Sequence, residues 1–104
     1  KNFNLNQNYL SFSGIGDPNS FLTTLKKNKF KVIKNLDFPD HYNYSEKDII
    51  KIKDIAKHHN AKIITTEKDY NRLNSLNREG IEFLKIELKV ISEKELIDFL
   101  KEKL

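Results

Sequence analysis

Apolar positions along the chain alternate between two periods, and the alternation is regular. Tyr9-Leu10-Ser11-Phe12-Ser13 reads as a short strand, followed by Phe21, Leu22 and Leu25 at helical spacing up to about Asn28. Phe30 to Ile33 reads as a second strand, and residues 36 to 44 as a loop of polar and aromatic side chains. Ile49, Ile52, Ile55 and Ala56 then mark a second helix, ending near His58, His59 and Asn60. Lys62 to Thr65 predicts a very short third strand, and Tyr70, Leu73 and Leu76 line a third helix. Asn77 to Gly80 turns the chain, Phe83 to Leu88 forms a fourth strand, and Leu96, Ile97, Leu100 and Leu104 carry a last helix. Helix starts are marked by Asp17-Pro18, Ser45 with Asp48, Thr66 with Asp69, and Ser92 with Glu95. In each, a side-chain oxygen can accept the free N–H groups of the first turn.

Strand and helix alternating four times over, with crossovers of this length, implies parallel pairing. The expected fold is a small three-layer α/β sandwich, Rossmann-like, with a four-stranded, mostly parallel sheet. The expected strand order is 2-1-3-4, with the switch point between strands one and three. Carboxyl ends of strands at a switch point form the natural crevice of such a sheet. Residues 1–8 are polar and Asn-rich, and read as a linker or lead-in strand, leaving 9–104 as the α/β domain.

Composition narrows the classes. A chain of 104 residues and 38% hydrophobic content has room for a single modest core. It contains no cysteine, which excludes disulfides, thiolate nucleophiles and Cys-ligated zinc. No apolar run reaches the ~18 residues of a spanning helix, and no signal-peptide core follows Lys1. The chain has no Met, so it is expected to be a processed chain or a fragment of a longer product. The formal charge of +4 rests on lysine, since only Arg72 and Arg78 among the 19 basic residues are arginine. Together with abundant Asn and Ile, this fits a coding bias better than a nucleic-acid surface, which favours arginine forks and aromatic platforms.

Three unusual segments follow strand ends, and the fold puts all of them on one edge of the sheet. Gly14-Ile15-Gly16-Asp17-Pro18 opens a helix, either as a capped turn or as a phosphate cradle; Asp17 at the cap would itself occupy the anion position. Pro39-Asp40-His41-Tyr42-Asn43-Tyr44 brings an imidazole that titrates near neutrality beside a carboxylate. His41 can serve in proton transfer, or simply hydrogen-bond the backbone. Tyr42 and Tyr44 can pack over the sheet edge. Thr65-Thr66-Glu67-Lys68-Asp69 crosses a strand-to-helix junction, where Thr66 and Asp69 suit capping and the helix dipole. Capping leaves Glu67 and Lys68 unexplained, and either could meet a charged group. His58 and His59 suit a helix carboxyl end and make no zinc pattern. Nucleophile-elbow and G-x-x-x-x-G-K-[ST] sequences are both absent.

Taken together, the segments resemble one family. Phe12-Ser13-Gly14-Ile15-Gly16-Asp17-Pro18 with Phe21 is similar to F-x-G-I-G-x-P-x-x-F. Phe38-Pro39-Asp40-His41-Tyr42-Asn43-Tyr44 with Asp48 is similar to F-P-D-H-x-x-Y-x-x-x-D. Ile64-Thr65-Thr66-Glu67-Lys68-Asp69 with Arg72-Leu73 is similar to T-T-E-K-D-x-x-R-L. In this order they resemble the tetraacyldisaccharide 4'-kinases, the lipid A 4'-kinases of Gram-negative bacteria, from about Tyr9 to the C-terminus.

The resemblance implies transfer of the γ-phosphoryl of ATP, with Mg²⁺, to the 4'-hydroxyl of a tetraacyldisaccharide 1-phosphate precursor in lipopolysaccharide biosynthesis. It implies action at the cytoplasmic face of the inner membrane. It implies too that ATP and Mg²⁺ are bound mainly by an N-terminal P-loop domain of the same polypeptide, which carries the acidic base. This chain would be the C-terminal domain, binding no cofactor and inactive alone. The candidate catalytic residues carried over are Asp40 and His41, with His41 reaching across the interdomain cleft to tune or orient the base. Gly14, Gly16, Tyr44, Thr66, Glu67, Lys68 and Asp69 are candidates for lining the substrate cleft or interface, and no metal ligand is expected. The competing readings are a stand-alone nucleotide- or phosphosugar-binding module and, less in keeping with the lysine bias, a nucleic-acid-binding domain.

Overall fold

A computed structural model describes residues 3–85. Within it, β1 (Asn8–Ser13), α1 (Pro18–Lys27), β2 (Lys31–Asp37), α2 (Glu46–His58), β3 (Ala61–Thr66), α3 (Glu67–Arg72) and β4 (Ile81–Leu84) follow one another in strict alternation. The strands form one sheet in the order β2-β1-β3-β4, and every neighbouring pair is parallel. The expected order and switch point are therefore present, and the strands are parallel throughout.

Side chains of the two central strands sort by parity. Leu10 and Phe12 of β1 and Ile63 of β3 join Ile49, Ile52 and Ala56 of α2 in one core cluster. Tyr9 and Ile64 join Phe21 and Leu25 of α1 in the other. Strand residues alternate faces, so each helix buries a different side of the sheet. This gives three layers, α1, sheet and α2. Phe12 is fully buried and touches the rings of Phe38 and Tyr44 at centroid distances of 6.3 and 5.3 Å. Its truncation to Ala costs about 3–5 kcal/mol. Ahead of β1, the Phe3 ring stacks edge-on against Phe30 at 5.2 Å.

Beyond one-residue shifts at the ends of β1, β2 and β3, the boundaries differ from the sequence reading in three places. First, β2 runs on to Asp37, four residues past Ile33. Lys34 and Asn35 break the apolar run, but pairing of Lys34, Asn35, Leu36 and Asp37 with Leu10, Ser11, Phe12 and Ser13 supplies the hydrogen bonds that propensity does not. Asn35 also accepts from the Ser11 hydroxyl at 2.7 Å. Second, α3 stops at Arg72. Leu73 caps it in an extended conformation yet stays buried, whereas Leu76 is 83% exposed and lines no helix. The Asn74 side chain accepts from the Asn77 N–H at 3.0 Å, a local turn that competes with further helix. Arg78 then donates to the carbonyls of Leu73 and Asn71, which the helix end leaves open. Third, β4 begins at Ile81 rather than Phe83, and pairs with Ile63 to Thr66. Its expected extension to Leu88, and the helix expected from Ser92 onward, lie outside the described residues.

Candidate functional site at the carboxyl edge of the sheet

Each of the three unusual segments begins where a strand ends. Parallel pairing brings Ser13, Asp37 and Thr66 to the same edge. The segments are then tied together by Asp69, which is fully buried on α3. Its Oδ1 accepts from the Gly14 N–H at 3.0 Å and from the Tyr44 hydroxyl at 2.9 Å. Its Oδ2 accepts from the Thr66 hydroxyl at 2.6 Å. Arg72 Nη1 lies 3.7 Å from Oδ1. A carboxylate withdrawn from water needs its lone pairs filled, and here the donors come from all three segments. Thr66 both donates to Asp69 and accepts its backbone N–H at 3.0 Å, which caps α3 as the sequence predicts.

Gly14 sits at the centre of this convergence. A Cβ there would stand 2.9 Å from the Pro39 carbonyl oxygen and 3.1 Å from the Tyr44 hydroxyl. Glycine is thus required by close approach of two backbones. Gly16 is looser: a Cβ would meet Asp40 Oδ2 at 3.5 Å, ordinary contact. Asp17 caps α1 by accepting from the Ser20 N–H at 3.2 Å, with Pro18 in the first turn. The first segment is therefore a capped turn whose anion position is held by its own carboxylate.

The middle segment is fixed from below. Phe38 N–H donates to the Ser13 carbonyl at 2.8 Å and His41 N–H to the Gly14 carbonyl at 3.1 Å. Phe38, Tyr42 and Tyr44 pack ring against ring at 5.0–5.2 Å. Tyr42 donates to Asp48 Oδ2 at 2.9 Å, and Asp48 closes a capping box with Ser45 at the start of α2. The Ser45 backbone N–H, then the Tyr42 hydroxyl, hold the Asp48 carboxyl below its usual range; the same bond raises Tyr42. Burial, then the charge of Asp69, pushes the Tyr44 phenol far up. Tyr44 is thus a neutral donor locked to Asp69, consistent with a bracing role.

Above this braced base stand Asp40 and His41. Both are exposed, and His41 Nε2 is 3.7 Å from Asp40 Oδ2. His41 has φ of 60°, the left-handed region that non-glycine residues adopt at a cost of about 1–2 kcal/mol. Of the residues singled out from the sequence, Gly14, Tyr44, Thr66 and Asp69 form the interior of the assembly, while Gly16, Asp40 and His41 form its outer rim. Glu67 is half-buried and Lys68 exposed at the start of α3. Sequence reasoning passed over Arg72 as a site residue. Its Nη1 donates to the Gly14 carbonyl at 3.3 Å and its Nη2 lies 2.6 Å from His41 Nδ1. The available signal was its place in the third motif, three residues after Asp69 and so on the same side of a helix.

Among the described residues no group of three His, Asp or Glu side chains could hold a metal ion, and Asp69 is already filled by protein donors. No helix among the described residues is long and apolar enough to cross a membrane.

Comparison with known proteins finds relatives along most of this chain. A tetraacyldisaccharide 4'-kinase of Pelagibacter ubique (strain HTCC1062) is 51% identical over 94 residues, covering 90% of this chain and 30% of the relative. One from Rickettsia typhi (strain ATCC VR-144 / Wilmington) is 43% identical over 89 residues, covering 86% of this chain and 27% of the relative. The chain thus spans less than a third of the length of these relatives. No solved structure matches it. The match to the family described as tetraacyldisaccharide-1-P 4'-kinase extends over residues 2–104, and on these grounds the chain belongs to that family, LpxK.

Proposed function

We propose that residues 9–104 are the C-terminal domain of a kinase that moves the γ-phosphoryl of ATP to the 4'-hydroxyl of a tetraacyldisaccharide 1-phosphate precursor of lipid A, with residues 1–8 leading in from an N-terminal P-loop domain. The observation that carries this reading is the outward presentation of Asp40 and His41 on a rim whose interior is closed by Asp69. The rim keeps an exposed imidazole and carboxylate even though Arg72 braces His41 at Nδ1, as expected of one wall of a cleft. The other wall belongs to the upstream domain, which binds ATP and Mg²⁺ and supplies the acidic base. The polypeptide works at the cytoplasmic face of the inner membrane, where its lipid substrate resides, and this chain alone is inactive.

Phosphoryl transfer depends chiefly on positioning and on neutralising charge. The 4'-hydroxyl must lose a proton as it attacks, and the base that takes it must point the right way. His41 reaches across the cleft to that base and orients it, with Asp40 beside the imidazole. Gly16, Glu67 and Lys68 complete the wall near the substrate or the domain interface. The test is His41→Ala in the complete polypeptide. Turnover falls by about a hundredfold or more, the usual scale for losing a proton-handling group, while ATP affinity changes little. Wild-type turnover in that variant would refute the assignment.

A further inference from the structure

Arg72 reaches the Asp40–His41 turn from the carboxyl end of α3. Its Nη1 is anchored on the Gly14 carbonyl and lies near Asp69, and its Nη2 is 2.6 Å from His41 Nδ1. A guanidinium carries only N–H donors and stays protonated at neutral pH. Contact at this distance therefore requires His41 Nδ1 to present its lone pair. The ring proton is then on Nε2. The backbone fixes the direction in which the His41 side chain leaves the turn: His41 N–H is tied to the Gly14 carbonyl, and φ is 60°. The Arg72 side chain is 23% exposed and the imidazole 76%, so the anchor lies inside and the ring outside.

We propose that Arg72 is a positioning residue that locks His41 in the Nε2–H tautomer, so that the exposed edge of the imidazole is a hydrogen-bond donor aimed at a carboxylate of the partner domain. The proposal rests on the cleft reading given above and sharpens it. A ring protonated at Nε2 cannot take the hydroxyl proton at that atom. It can hold and orient the carboxylate that does, by donating to one of its oxygens. The lock runs from the buried Asp69 through Arg72 to His41, joining the first, third and middle segments in one chain of contacts.

The test uses the complete polypeptide labelled with ¹⁵N-histidine, with long-range ¹H–¹⁵N correlation spectra and the His41 signal assigned by its loss in His41→Ala. Wild type is expected to show an unprotonated Nδ1 and a protonated Nε2. Arg72→Ala is expected to populate both tautomers, and to lower kcat by about tenfold or more with KM for ATP within about twofold. Arg72→Lys, which keeps one donor, recovers part of both losses. A purely structural Arg72 would alter folding without moving the tautomer. A wild-type spectrum with Nδ1 protonated overturns the proposal without requiring any variant to fold. An Arg72→Ala protein that keeps both the Nε2–H ring and full turnover overturns it too. Unchanged turnover in His41→Ala removes the role of His41 in the cleft, and the spectrum alone then decides whether the lock exists.

Discussion

A methyl group on Gly14 would press against the Pro39 carbonyl at 2.9 Å, and backbone on both sides limits relief. Gly14→Ala is therefore expected to destabilise the protein by roughly 1–3 kcal/mol, while Gly16→Ala stays within about 0.5 kcal/mol. Denaturant midpoints of the two variants measure the contrast, and equal midpoints would show that the three segments meet less closely than described. Tyr44 adds a dependence on alkali. Its phenol is raised by burial and by Asp69, so the fold favours the protonated form. That contribution is complete below about pH 10, the ordinary phenol value, and fades as pH climbs beyond it. Stability should decline there, and the decline should be shallower in Tyr44→Phe. That variant also starts lower, because Asp69 loses a donor while remaining buried.

The helix starts are the most locally determined parts of the fold. Ser45 and Asp48 cap α2 reciprocally, and Tyr42 leans on the same carboxylate. Ser45→Ala should cost about 1 kcal/mol in a thermal or denaturant melt. The lowered Asp48 carboxyl contributes stability above its ordinary value near pH 4, and that contribution disappears as acid protonates it. In Asp48→Asn the acid limb of a stability-against-pH curve should flatten; an unchanged limb would assign the acid sensitivity elsewhere. The strand β2, by contrast, owes its length to β1. Its lysines, Lys31 and Lys34, are exposed on the sheet edge, where charge discourages pairing with a further chain.

At the scale of the molecule, the sheet gathers chemistry on one edge, with α1 and α2 covering its faces. Its carboxyl edge carries a buried carboxylate that binds the three segments and an exposed Asp–His pair above it. Since Asp17 occupies the cap of α1 and the chain has no P-loop sequence, calorimetric titration of this chain with ATP and Mg²⁺ should give no tight binding. Micromolar binding would favour instead a self-contained nucleotide module. The same titration of the complete polypeptide is expected to show binding, which would place the nucleotide outside this chain.

The sequence alone determined the alternation of strands and helices, the starts of α1, α2 and α3, and the grouping of three segments on one edge. These rest on short-range physics: the period of apolar residues, and caps between residues three apart such as Ser45 and Asp48. Strand order also followed, because short crossovers leave few topologies open. Only the tertiary structure decided that Asp69 faces inward rather than into the cleft, that Gly14 yields to the approach of Pro39, that β2 extends to Asp37, and that Arg72 grips His41. Those depend on partners 24 to 58 positions apart. A carboxylate written in a helix-capping motif looks the same whether it ends buried or exposed; the donors that gather around it in space settle which.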